Sequence, residues 1–258
     1  MSPLPAPAAR LYVTADLAPG AAVALDAAPA HYLRNVLRLA PGAMVALFNG
    51  RDGEWSAAID ELGKRGALLR CLAQTRPQQP EPDLWLLFAP IKRLRIDFLV
   101  EKATELGVAE LRPVFTRRTV ASRLNPARLV AHAVEAAEQT ERLSIPVLHE
   151  PQGLADCLAA WPPGRHLLLC AEAGAALPIA DALGALAATP DAGRAGAVLV
   201  GPEGGFTAAE LDDLGKLPFV TPVGLGPRIL RADTAALAAL ACWQAILGDG
   251  RDPTPLRR

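Results

Sequence analysis

The stretch Leu199-Val200-Gly201-Pro202-Glu203-Gly204-Gly205-Phe206-Thr207 constrains this chain more than any other. An apolar, β-type run over 197–200 breaks on a glycine-rich turn. Thr207 then stands three residues before Glu210, the Ser/Thr-x-x-Glu spacing of a capping box that opens a helix. In open α/β sheets such a strand–turn–helix is where nucleotide-like ligands bind, because backbone N–H groups and a helix N-terminus converge there. The turn fits neither common phosphate template: no Lys-Ser/Thr follows the glycines, and no G-x-G-x-x-G is present. Glu203 also argues against phosphate, since a carboxylate inside the turn repels an anion. A ligand carrying ribose, adenine and positive charge suits the turn better, and the plain alternative is a structural turn with an exposed glutamate.

A second segment, Thr221-Pro222-Val223-Gly224-Leu225-Gly226-Pro227-Arg228-Ile229-Leu230-Arg231-Ala232-Asp233-Thr234-Ala235, is another Gly/Pro-punctuated turn that runs into an apolar helix. The succession GPEGGFTxxE, LGPRILRxDTA and an Ala/Leu helix strongly resembles the RsmE family. These are SPOUT-class, trefoil-knotted methyltransferases that use S-adenosylmethionine to methylate N3 of a uridine in 16S rRNA. Where this chain has Arg231-Ala232-Asp233-Thr234-Ala235 the family commonly reads LRxETA, a swap that keeps the carboxylate.

The 258 residues suit one large domain or two smaller ones. Residues 10 to about 73 read as short strands at 11–13, 44–48, 55–59 and 67–72, separated by Asn49-Gly50, Asp52-Gly53 and Lys64-Arg65-Gly66 turns, which describes a small β-barrel. A helix over 30–39 interrupts it. Its Arg34 and Arg38 lie four apart and so project from one face, either as phosphate contacts or as a solvated surface. The run 31–42 also resembles the family's N-terminal segment, part of a PUA-like RNA-binding barrel, and the resemblance makes Arg34 and Arg38 RNA contacts. The proline-rich stretch 74–82 reads as the linker between a barrel at 1–73 and a second domain at 83–258.

Beyond the linker, strand candidates at 84–89, 110–115, 145–149, 166–171, 197–201 and 219–223 alternate with helices near 92–106, 126–142, 153–160, 178–188 and 207–216. Such alternation implies a mostly parallel sheet covered on both faces. The helix from Lys92 has an apolar stripe (Ile96, Leu99, Val100, Ala103, Leu106) but places Lys92, Arg93 and Arg95 in its first turn. Cations there oppose the macrodipole by about 0.3–1 kcal/mol each. The violation reads as a cluster aimed at RNA phosphates. Arg117, Arg118, Arg123 and Arg128 extend this basic region. Charge agrees in sign: net +3 over residues 1–142 and −4 over 143–258. A last helix over 233–247 is apolar around most of its circumference and demands burial by the sheet, or by the sheet and a second subunit.

Four scattered cysteines without a C-x-x-C pair point to reduced thiols in a cytoplasmic protein without a metal site, and the four histidines show no ligand spacing. The N-terminus lacks the pattern of a secretory leader, and no run of about 18 uncharged apolar residues suggests a membrane span.

What remains is implied by the resemblance. The cofactor lies bent against three loops, here contributing Leu169, Cys170 and Glu172, then Val200, Gly201, Glu203 and Gly205, then Leu225, Gly226, Ile229 and Leu230. From its position just beyond the third loop, Arg231 is the candidate to stabilise charge developing on the uracil, and Glu203 is the weaker candidate, as proton acceptor or as partner to the cofactor's cationic groups. The substrate is 16S rRNA or the small ribosomal subunit, and the knotted domain forms a homodimer. Two other readings stay open: an RNA-binding module without catalysis, and a SPOUT enzyme acting on tRNA or a ribose hydroxyl.

Overall fold

The computed structural model describes residues 6–91, 93–120, 124–171, 176–189 and 195–252. Contacts divide the chain into two units: the first holds the chain up to Pro80 with Ala137–Ile145, the second Glu81–Ala136 with the chain from Pro146.

In the first unit β1 (Arg10–Tyr12), β2 (Ala22–Leu25), β3 (Met44–Phe48), β4 (Glu54–Leu62) and β5 (Ala67–Arg76) form one sheet in the order β1-β3-β4-β5-β2. Pairing is antiparallel except between β1 and β3. Three register irregularities along β4 let the sheet bend, and its inner face packs around Leu11, Val23, Val45, Leu47, Ile59 and Leu69. Two details differ from the sequence reading. Strand β2 is an addition, and β5 continues to Arg76, inside the stretch read as a linker.

The helix of this unit differs too. Helix α1 (Ala27–His31) passes into a π-helical turn, Tyr32–Val36, that buries Leu33 completely. Beyond it Arg38 takes a left-handed backbone, φ 55°. Arg34 and Arg38 therefore do not share a helix face, because the four-residue spacing argument needs an α-helix running through both. A buried ion pair braces the unit: Arg10 Nε meets Glu54 Oε2 at 2.7 Å, and the Arg10 guanidinium donates to the carbonyls of Ala137 and Arg142.

The second unit contains β6 (Leu84–Phe88), α2 (Arg93–Glu105), β7 (Glu110–Phe115), α3 (Pro126–Thr140, whose end counts with the first unit), β8 (Val147–Leu148), β9 (Gln152–Gly153), α4 (Leu154–Ala159) and β10 (His166–Cys170). There follow β11 (Leu177–Pro178), α5 (Ile179–Ala187), β12 (Gly196–Val200), α6 (Ala208–Gly215), β13 (Val220–Gly224) and α7 (Ala232–Ile246). The strands run in the order β11-β13-β10-β12-β6-β7-β8, each neighbouring pair parallel, with β9 paired to β7. Central strands β6 and β12 are buried at every position, as strands covered on both faces must be. Side-chain alternation splits them: Leu84, Leu86, Phe88 and Val198 face a core shared with α2, α5 and α7, while Trp85, Leu87, Ala197 and Leu199 face one shared with α4 and α6. The covered parallel sheet matches the expected α/β class.

Helix α2 buries Ile96, Leu99, Val100 and Ala103, the stripe its sequence shows. No helix among the described residues is long and apolar enough to cross a membrane.

Gly196, at the start of β12, lies against the six-membered ring of Trp243 on α7, so closely that a Cβ has no room. Gly196→Ala is expected to lower stability by about 1–3 kcal/mol through overpacking. Urea unfolding checks this, with Gly215→Ala, where a Cβ meets open space, as the tolerated comparison.

Candidate functional site

Strands β13, β10 and β12 lie side by side and parallel, so their carboxyl ends (Gly224, Cys170 and Val200) open on one edge of the sheet. The segments following them line a cavity of about 730 Å³, within the ~300–1,000 Å³ range of small-molecule sites. In an open α/β sheet this edge, where the strand order departs from chain order, is where ligands bind.

The turn after β12 is built as its sequence suggests. Gly205 N–H donates to the Pro202 carbonyl at 2.8 Å, closing a tight turn, and Gly205 sits at φ 65°, a conformation that costs glycine nothing. The capping box then forms in full. Glu210 N–H donates to Thr207 Oγ1 at 3.3 Å, and Glu210 Oε2 accepts from Thr207 N and Oγ1, both at 2.8 Å. Glu210 Oε1 does more: it accepts from Arg117 N at 2.8 Å, fastening the segment after β7. Burial raises the Glu210 pKa, but the Arg117 and Thr207 donors outweigh it and hold the carboxyl below its ordinary value.

Of the expected cofactor residues, Cys170, Val200, Gly201, Glu203, Gly205, Leu225, Gly226, Ile229 and Leu230 all line the cavity, as does Arg231. Leu169 does not. It packs on the opposite face of β10, with Trp85, Leu87 and Leu199, because neighbouring strand residues point to opposite sides. Glu172 lies outside the described residues. The Cys170 pKa is pushed up to about 12, by burial first and by neighbouring Cys242 second. It is therefore a protonated, inert lining group at neutral pH.

Arg231 is the N-cap of α7, in extended conformation, and its exposed side chain makes no cap bond. The nearby Asp233 Oδ1 is buried without a hydrogen-bond partner among the described residues. Of the basic cluster on α2, Lys92 and the side chain of Arg93 lie outside the described residues. Arg95 does not simply face solvent: its Nη1 stands 3.6 Å from Glu203 Oε1 at the cavity rim. In the first unit Arg34 Nε donates to Asn35 Oδ1 at 3.2 Å, and Arg38 is exposed beyond the π-helical turn.

The sequence marks Arg118 only as part of a basic region. It lines the cavity, and its Nη1 donates to the Gly204 carbonyl at 2.8 Å and more weakly to that of Phe206 at 3.3 Å. The adjacent arginines were the available signal, and nothing local marks the second as different. No cluster of three or more metal-ligating side chains occurs among the described residues.

Comparison with known proteins bears on this geometry. Residues 78–244 match an RNA methyltransferase domain and residues 25–71 an RNA methyltransferase PUA domain. A ribosomal RNA small subunit methyltransferase E of Rickettsia conorii is 33% identical over 238 residues, covering 90% of this chain and 93% of its own. One from Synechocystis is 32% identical, covering 92% and 78%. The crystal structure of a ribosomal RNA small subunit methyltransferase E from Neisseria gonorrhoeae bound to S-adenosyl methionine superposes with a TM-score of 0.80. It is 27% identical and covers 94% of this chain and 99% of that one.

The depressed Glu210 pKa carries a pH prediction. Its stabilisation is full above the ordinary value of 4.5 and is lost as pH falls through the lower folded value. Glu210→Gln is expected to cost about 1 kcal/mol at neutral pH. The gap to the native protein should close as pH falls from about 5 to about 3, followed by thermal unfolding of both proteins.

Proposed function

The chain belongs to the ribosomal RNA small subunit methyltransferase E family, and from that membership we propose that it methylates N3 of a uridine in 16S rRNA, using S-adenosylmethionine. It is an α/β enzyme of the SPOUT, trefoil-knot class with a PUA-like domain. The observation that carries the reading is the cavity at three adjacent parallel strand ends, lined by two Gly/Pro turns. Those turns suit the cofactor: Gly205 and Gly226 hold left-handed conformations with open space where a Cβ would stand, and Gly201 leaves room for the Phe206 ring beside the cavity.

Bound there, S-adenosylmethionine supplies a methyl group made electrophilic by the sulfonium. The protein's part is alignment and charge management. Backbone groups of Val200, Gly201, Gly205, Leu225, Gly226 and Leu230 would hold the cofactor, with Cys170 and Ile229 as neighbouring walls. The uracil N3 must give up a proton, and negative charge then spreads over the ring oxygens. Arg231, which makes no cap bond and lines the cavity, stabilises that charge. Glu203 either takes the proton or pairs with the cofactor's cationic groups, with Arg95 beside it.

RNA is held by Lys92, Arg93 and Arg95 at the start of α2 and by Arg34 and Arg38 in the PUA-like unit. The enzyme acts in the cytoplasm on 16S rRNA or the small subunit, as a homodimer through the methyltransferase unit.

The test is transfer of labelled methyl from S-adenosylmethionine to small subunits from cells lacking this gene, with mass identification of the product. 3-Methyluridine is expected. A different methylated nucleoside overturns the substrate, and no transfer overturns the activity. In the same assay Arg231→Ala should lower kcat by about 100-fold while the Kd for S-adenosylmethionine changes by less than about twofold. Equal losses in both contradict the assigned role.

A further inference from the structure

Residues 116–119, directly after β7, form a segment that reaches across the chain to the glycine-rich turn at two points. It is itself a closed turn: Thr116 N–H donates to Thr119 Oγ1 at 2.9 Å, and Thr119 N–H to the Thr116 carbonyl at 3.2 Å. From this compact base, Arg117 N–H donates to the Glu210 carboxylate that closes the cap of α6. One residue on, Arg118 donates to Gly204 and Phe206, the residues on either side of Gly205. The segment thus grips both ends of the 204–210 stretch, with Arg118 itself forming part of the cavity wall.

The turn needs such a grip. A strand-to-helix turn with two consecutive glycines has many accessible backbone states in isolation, and fixing each residue costs about 1–2 kcal/mol of conformational entropy. The capping box fixes the helix side and the Pro202–Gly205 hydrogen bond fixes the strand side. What remains are the carbonyls of Gly204 and Phe206, and a single guanidinium occupies both.

We propose that Arg118 is a positioning residue for the cofactor site, clamping the Gly204–Phe206 turn from outside so that its backbone is preorganised before ligand arrives. The inference rests on the reading of the cavity as the S-adenosylmethionine site. Arg118 acts through the turn and need not touch the reacting atoms.

Isothermal titration of the full chain with S-adenosylmethionine, without RNA, tests this. Arg118→Ala should raise the Kd about tenfold and speed amide exchange at Gly204–Phe206, without shifting the thermal midpoint of the ligand-free protein. Arg118→Lys, which keeps a charged donor, should recover part of the affinity. Glu210→Gln, which weakens the neighbouring anchor, should move the Kd the same way by less. If Arg118→Ala fails to fold, Arg118→Lys decides: affinity and exchange equal to the native protein's overturn the proposal. A wild-type Kd in Arg118→Ala with weakened RNA binding also overturns it, and makes Arg118 a plain phosphate contact. If the native protein itself takes up no S-adenosylmethionine, the reading of the cavity fails, and this inference with it.

Discussion

Strand β12 pairs with β6 on one side and β10 on the other, and β13 lies beyond β10, all parallel. Parallel pairing delivers three carboxyl ends to one edge, and each chain segment leaving that edge must turn back over the sheet toward a helix. Two of those segments, rich in glycine and proline, line the cavity. The insertion of β12 between two strands formed earlier in the chain therefore creates the site. Its complete burial on both faces makes that arrangement expensive to undo.

Charge at the rim follows a different logic from stability. A first turn of α2 without an acidic residue runs against the helix dipole, and Arg95 instead stands within ion-pair reach of Glu203 on the glycine-rich turn. Both side chains remain partly in solvent, so the pair adds little to folding. Its consequence is local: the one carboxylate in the glycine turn and a cation of α2 share a site, where phosphate groups would compete for the same guanidinium.

The sequence makes some parts of this molecule legible because their physics is local. The capping box of Thr207 and Glu210, the apolar stripe of α2 and the turn at Gly205 are each set by residues within a few positions of one another. Where the sequence reading went astray, the deciding contacts are distant or the backbone departs from a standard period. Leu169 and Cys170 are neighbours, but strand alternation sends only Cys170 to the cavity. Arg38 falls beyond a π-helical turn and out of register with Arg34. The hydrogen bonds of Arg118 span 86 and 88 residues, so no window of sequence shows which arginine makes them.

Hydrogen–deuterium exchange of the full chain with and without S-adenosylmethionine decides whether the two Gly/Pro turns together form the cofactor site. Slowed exchange is expected at the amides of 200–206 and 225–231, with little change in the PUA-like unit. Protection confined to one turn, or lying elsewhere in the chain, contradicts a site shared by both turns.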